Sequence, residues 1–252
     1  MRNWLFKGKE GLWFLAALVL AWQLSSHAGP WRSQYLFPTP GKVAEAFWLS
    51  LPELLKGTWS SFLVLVPAYF LAVVAGVALG LPAGSSPWLS RTLTPFARLA
   101  SPVPPNVYIP YAIALLPGFK VAAGFVIFVA AFWPVFLNAS AGAASLPSRY
   151  WDNARTLGIG KLEFLWRIAF PAALPHIFSG MAVGLVLSFI MLTVAELFGA
   201  SSGLGRFVQF YADYADYPRM VAGIIYTGAV AFLSMELLDY AKRRTLFWTK
   251  AN

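Results

Sequence analysis

WSSFLVLVPAYFLAVVAGVALGL, from Trp59 to Leu81, runs without a single Asp, Glu, Lys or Arg. Crossing a hydrocarbon layer ~30 Å thick takes roughly 20 such residues in an α-helix, so this run is read as a membrane span. On either side of it, Gly11–Ser26 reads as a first span and Val107–Gly118 as a third. Val121–Ala143 is a fourth, separated from the third by a break at Pro117-Gly118, and Ile177–Phe198 and Met220–Tyr240 follow as fifth and sixth. The pattern predicts an all-α membrane protein with about six transmembrane helices, the third of them short and proline-framed. No internal repeat, low-complexity stretch or soluble segment divides it, so residues 1–252 are read as one transmembrane domain.

Composition agrees. Hydrophobic residues make up 59% of the chain and charged ones 12%, with a mean hydropathy of +0.64, a balance foreign to soluble domains. The net charge of +9 is scattered between apolar stretches and forms no basic face, which argues against nucleic acid as a partner. Without cysteine there is neither a disulfide framework nor a thiolate nucleophile, and His27 and His176 lie far apart, so no metal site is expected.

Basic residues mark the cytoplasmic loops of a membrane protein. With the amino terminus inside, thirteen of the nineteen Lys and Arg fall on the cytoplasmic side: Arg2, Lys7, Lys9, Arg91, Arg98, Arg149, Arg155, Lys161, Arg167, Lys242, Arg243, Arg244 and Lys250. Both termini are therefore expected to be cytoplasmic. The first segment also resembles a cleaved signal peptide, with basic residues before it and Ser26-His27-Ala28 after it; retention is the reading adopted. Between the first two spans, Leu36 to Lys56 opens with Pro38-Thr39-Pro40-Gly41 and carries Val43, Ala46, Phe47 and Leu51 at near-helical spacing. An amphipathic piece lying flat on the outer surface is expected there.

The longest cytoplasmic loop, about 144–176, contains Ser148-Arg149-Tyr150-Trp151-Asp152-Asn153-Ala154-Arg155-Thr156-Leu157-Gly158. It predicts a short helix capped by Ser148, with Asp152 near enough to the first turn to suit the dipole and Gly158 as a left-handed stop. A second helix is expected after Gly160, with Leu162, Leu165, Trp166 and Ala169 on one face and Pro171 at its end. Composition alone serves equally for an interfacial loop whose basic residues meet anionic lipid.

A family resemblance separates the two readings. Asp152-Asn153-Ala154, three residues, Gly158, nine residues, then Ile168-Ala169-Phe170-Pro171 resembles the coupling motif of ABC importer permeases: Glu-Ala-Ala, then Gly, then Ile-x-Leu-Pro. Asp152, Asn153 and Phe170 depart from it; Asp keeps the charge with a shorter reach. The resemblance narrows to the nitrate, sulfonate and taurine branch through Pro104-Pro105 and through Ala195-Glu196-Leu197-Phe198-Gly199-Ala200-Ser201-Ser202-Gly203-Leu204-Gly205. It implies a type I ABC importer permease-like fold in the bacterial cytoplasmic (inner) membrane and a second permease copy, expected as a homodimer. It further implies a cytoplasmic ABC ATPase dimer and an external solute-binding protein. On that resemblance, Arg149, Tyr150, Asp152, Ala154, Arg155, Leu157 and Gly158 contact the ATPase or shape the contact, the chain is not an enzyme, and ATP and Mg belong to the partner. The glycine-rich stretch 199–205 lacks a Gly-Lys-Ser/Thr ending and is not a nucleotide site.

Asn106, Tyr111, Phe132, Asn138 and Glu196 are the candidates for a solute path. Asn106 and Asn138 are amides in apolar surroundings, where a pore or interhelical hydrogen bond is expected. Phe125, Phe128, Phe132 and Phe136 recur at helical spacing, a pattern that suits packing or lipid contact better than solute stacking. Glu196, near the outer end of the fifth span, is read first as a helix-end carboxylate bonded to the following backbone or to Ser201 and Ser202, and second as a solute or proton ligand. Glu236 and Asp239 are read as a solvated rim. The solute is expected to be a small anion such as a sulfonate or nitrate, held by backbone N–H groups, helix N-termini or loop arginines; a heterocycle such as a thiamine precursor or riboflavin is the alternative. An ion-coupled transporter would require repeats and midplane charges that the sequence lacks.

Overall fold

Proline placement sets the boundaries of the longest element. Pro40 occupies the first turn of a helix whose amino terminus follows the extended Thr39, and the helix ends at the extended Ser86, just before Pro87. In the computed structural model, which describes residues 9–26 and 36–250, this helix α2 runs unbroken from Pro40 to Ser85. It follows α1 (Lys9–Ser25) and precedes α3 (Pro87–Ala100), α4 (Ile109–Leu115), α5 (Phe119–Ala144), α6 (Ser148–Thr156), α7 (Lys161–Phe164), α8 (Phe170–Gly199), α9 (Leu204–Asp213) and α10 (Tyr217–Thr245). Among the described residues there is no strand. Arg2, Lys7 and the His27-Ala28 candidate cleavage site lie outside the described residues.

Four helical runs are long and apolar enough to cross a membrane: Pro40–Ser85, Phe119–Ala144, Lys161–Gly199 and Tyr217–Thr245. They contain the expected second, fourth, fifth and sixth spans. The expected first span is α1, whose 17 residues fall slightly short of the roughly 20 needed.

Two expectations are corrected. The stretch from Leu36 to Lys56 does not lie flat as a separate piece. From Pro40 on it is the first third of α2, whose 46 residues extend about 69 Å at ~1.5 Å per residue. Its stripe of Val43, Ala46, Leu54 and Gly57 is buried against other helices of the chain, where Phe47 meets the Tyr226 ring and Gly57 faces Gly203. Amphipathicity shows that a face is covered, and here protein covers it in place of a headgroup layer.

The third span is also not a single helix from Val107 to Gly118. The chain turns back at Ser86, and α3 packs Leu93 and Ala97 with Ala83, Phe132, Phe136 and Leu137. After a break at Ser101–Pro104 comes a 3₁₀ turn, Pro105–Tyr108, and then α4, which seats Ile109 and Ala112 beside Ala122, Ala123 and Val126 of α5. The expected third span is thus two pieces, neither of them long enough to cross a membrane by itself. Pro102, Pro104 and Pro105 remove three donors within four residues, and each disfavours helix in the residue before it. Such interruptions at membrane depth occur where the backbone is shielded by protein or lines a cavity.

Helix α5 is the centre of the bundle, with α2 along one side and α8 along the other. Gly76 and Gly80 of α2 let the backbones approach: a Cβ on Gly80 would lie 2.6 Å from the Phe136 carbonyl oxygen. Gly180 and Gly184 do the same for α8 against Pro134 and Ala131. Lipid supplies no hydrophobic drive between spans, so close packing of small residues is the main source of their association.

Candidate functional site

The hairpin expected on the cytoplasmic side is built from α6, α7 and the start of α8. Helix α6 begins as expected at Ser148, but its amino-terminal cap is the extended Pro147, and Ser148 makes no capping bond. A pyrrolidine with φ fixed near the required value already directs the chain into the helix. At the other end Gly158 has φ +71, its N–H donates to the Arg155 carbonyl at 3.1 Å, and Ile159 N–H donates to the Ala154 carbonyl at 2.9 Å. That pair of bonds is a Schellman stop, completed by the apolar contact of Ile159 with Ala154.

Inside the hairpin, Ala154, Phe164 and Ala169 are buried, with Trp151, Leu165 and Ile168 packed around them. The Trp151 and Phe164 rings stack at a centroid distance of 3.6 Å. The apolar face expected from Leu162 and Trp166 is turned outward instead, 69% and 54% exposed; Phe164 takes the interior position. A larger side chain at Ala154 would displace Phe164. Arg149, Asp152, Arg155 and Leu157 are exposed, and the Arg149 guanidinium lies over the Tyr150 ring.

The second helix does not end at Pro171. Lys161–Gly199 is one 39-residue helical run in which Leu165–Ala169 forms a π turn, with Phe170 N–H donating to the Leu165 carbonyl. Pro171 has no N–H for the Arg167 carbonyl and its ring crowds that group. The wider turn absorbs the conflict, and the helix continues. The hairpin is consequently an extension of the same helix that crosses the membrane.

At the far end of that helix Glu196, 3% exposed, accepts from Ser61 Oγ at 2.6 Å and from Gly205 N–H at 2.6 Å. Ser61 Oγ in turn accepts from Leu204 N–H at 3.0 Å. The expectation of bonds to the following backbone holds; the side-chain partner is Ser61 of α2, whereas Ser202 pairs with Ser60 at 2.7 Å. Gly203, at φ +145, brings the chain so close that a Cβ there would collide with the Glu196 carboxylate. Three elements, α2, α8 and the amino terminus of α9, are joined through one carboxylate. Leu204 and Gly205 thus spend their N–H groups internally. Farther out, Tyr211 donates to Glu53 at 2.9 Å; burial, and then this bond, raise the phenol above its ordinary value.

The candidate path residues are not brought together. Asn138 makes no interhelical bond; its amide donates to the Pro134 carbonyl one turn back at 2.8 Å. Phe132 stacks between Phe128 and Phe136, as a packing role requires. Asn106 and Tyr111 lie on the broken third segment, and both are exposed. Glu196 borders an outer crevice of about 410 Å³ with Ser60, Gly118, Lys120 and Ser202.

Residues 60–246 match the family described as binding-protein-dependent transport system inner membrane component. The nitrate import permease NrtB of Synechocystis is 34% identical over 162 residues, 64% of this chain and 59% of that protein. The taurine transport permease TauC of Escherichia coli is 33% identical over 72% of this chain and 66% of its own length. The putatively assigned aliphatic sulfonates permease SsuC of Bacillus subtilis is 27% identical over 95% and 87%. The chain spans about three fifths of the length of the NrtB proteins it matches. Among solved structures, the inward-facing MetNI methionine ABC transporter superposes with a TM-score of 0.64 over 77% of this chain and 97% of that chain, at 15% identity, which bears on the fold alone. A family match that covers the core spans, the hairpin and the buried carboxylate makes this chain a member of the binding-protein-dependent transport system inner membrane components, a multi-pass inner-membrane protein similar to permeases named for nitrate, taurine, bicarbonate and aliphatic sulfonates.

Proposed function

We propose that this permease imports a small anion, a sulfonate or an oxyanion of the nitrate class, driven by a separate ATPase that docks on the α6 hairpin. The observation that carries the reading is mechanical continuity: Lys161–Gly199 is one helical run, with the hairpin packed on its first turns and the Glu196 carboxylate near its last. A displacement of the hairpin is delivered along a stiff rod to the outer end, and motion of such packed elements is how closure of one subunit repositions another.

Within the hairpin, Arg149, Tyr150, Asp152 and Leu157 form the contact with the ATPase, Ala154 and Gly158 give it its shape, and Arg155 lies on its flank. Asn106 and Tyr111, on the broken crossing, line a path completed by a second permease copy. The anion preference is supported by the names of the relatives, which transport nitrate, taurine, bicarbonate and aliphatic sulfonates. An external binding protein delivers the solute, and ATP and Mg are held by the partner.

Reconstitution with the cognate ATPase and binding protein tests this directly. Uptake of nitrate, taurine, bicarbonate and an alkylsulfonate is measured with and without ATP, and Asp152→Arg and Gly158→Pro are expected to abolish it while leaving membrane insertion intact. Uptake that persists with ATP hydrolysis blocked would refute the proposal.

A further inference from the structure

A cleft of about 580 Å³ opens between the hairpin and the turn from α2 to α3. One wall is apolar, with Pro82, Pro87, Trp88 and Leu89; the other carries Trp151, Arg155, Lys161 and Leu165. No carboxylate lines it. Among the described residues, Arg155 and Lys161 are in no ion pair, and Glu163, the acidic residue nearest them on α7, is occupied by Arg167 at 3.0 Å. Two cations face an apolar wall with no internal counter-ion.

The position of the cleft narrows its occupant. It lies at the end of α2, where the apolar run stops and the polar hairpin begins, and Trp88 stands 73% exposed at its rim. Indole rings favour the headgroup level of a bilayer, and basic pockets between helices on the cytoplasmic side suit anionic headgroups. At 3.6 residues per turn, Trp151 and Arg155 share one flank of α6, whereas Arg149, Asn153 and Thr156 are exposed around the opposite side, with Asp152 between the two. An ATPase seated on that opposite side leaves the cleft open toward the membrane.

We propose that this cleft is a binding site for an anionic phospholipid, with the headgroup phosphate between Arg155 and Lys161 and the acyl chains along Trp88, Leu89 and Pro82. The site ties the hairpin to the inner leaflet beside α3. It goes beyond the transport reading and does not depend on the identity of the solute.

The full-length chain, purified in mild detergent, is mixed with equal amounts of phosphatidylglycerol and phosphatidylcholine of matched acyl chains, and bound lipid is counted by native mass spectrometry. Each Lys or Arg near an anionic surface contributes about a factor of five, so retention of phosphatidylglycerol is expected to exceed phosphatidylcholine by at least about tenfold. The double variant Arg155→Gln/Lys161→Gln brings the ratio close to one, Lys161→Gln alone lowers it part-way, and Arg167→Gln leaves it unchanged. Equal retention of the two lipids by the wild type, or an undiminished preference in both cleft variants, overturns the proposal. Displacement of the lipid by excess inorganic phosphate overturns it in favour of a free anion; displacement on adding the ATPase does so in favour of a protein occupant. Retention through both additions supports the lipid.

Discussion

The two ends of the Lys161–Gly199 run are held by opposite kinds of chemistry. At the outer end, a buried carboxylate spends both oxygens on Ser61 and Gly205 and ties three elements through directional bonds. At the other end, the hairpin is closed by the Trp151–Phe164 stack and a small apolar core, and its exposed charges are left open. Directional bonds in a water-poor place tolerate little displacement, because an orphaned partner there is costly. Apolar packing near the surface tolerates a change of neighbour. The Glu196 end is thus built to keep its geometry, and on the proposed reading the hairpin end is left open for a partner.

Substitutions test that contrast, and the largest effect is expected at the outer end. Glu196→Ala leaves the Ser61 hydroxyl and the Gly205 N–H without their acceptor, at about 1–3 kcal/mol for each buried group, so a loss of roughly 4 kcal/mol in a detergent unfolding assay is expected. Wild-type stability together with wild-type uptake would show that the carboxylate is not a lock. Trp151→Ala should cost about 3 kcal/mol, confined to the hairpin: the spans stay resistant to protease while the hairpin becomes cleavable and ATPase association falls. Cleavage spreading into the spans would erase the distinction between the two ends.

Smaller changes refine it. Ser61→Ala removes one donor to Glu196 and the acceptor of Leu204 N–H, for about 2 kcal/mol, and Ser61→Thr, which keeps the hydroxyl, should recover part of the loss. Gly158→Ala forces a Cβ into the left-handed region at about 1–2 kcal/mol, read as weaker ATPase binding with unchanged unfolding of the spans. The least is expected from Arg167→Gln, which breaks an exposed ion pair with Glu163 worth at most about 1 kcal/mol; a large defect there would place Arg167 in the partner interface.

Features written in consecutive residues are legible in the sequence. The Trp59–Leu81 run, the helix ending at Gly158 and the Pro117-Gly118 break depend on hydropathy, capping and φ, and all three are found. The solute path is less legible. An amide such as Asn138 is expected to bond across helices, yet it has a carbonyl of its own helix within reach, and a side chain takes the nearest acceptor. Ser61 escapes sequence reasoning because a serine in an apolar run carries no signal of its own. Phe164 escapes it because helix phase across the short α7 and the π turn shifts by a fraction of a turn.

The solvent, the helical class and the hairpin motif follow from the sequence alone, because each rests on composition or on residues within a few turns of one another. Packing was needed to establish that residues 40–56 continue a span, that the third crossing is broken, and that Ser61 meets Glu196. A face, a break or an acceptor acquires its role from whatever packs against it. Ser61 and Glu196 stand 135 residues apart, and no local pattern encodes which distant segment arrives.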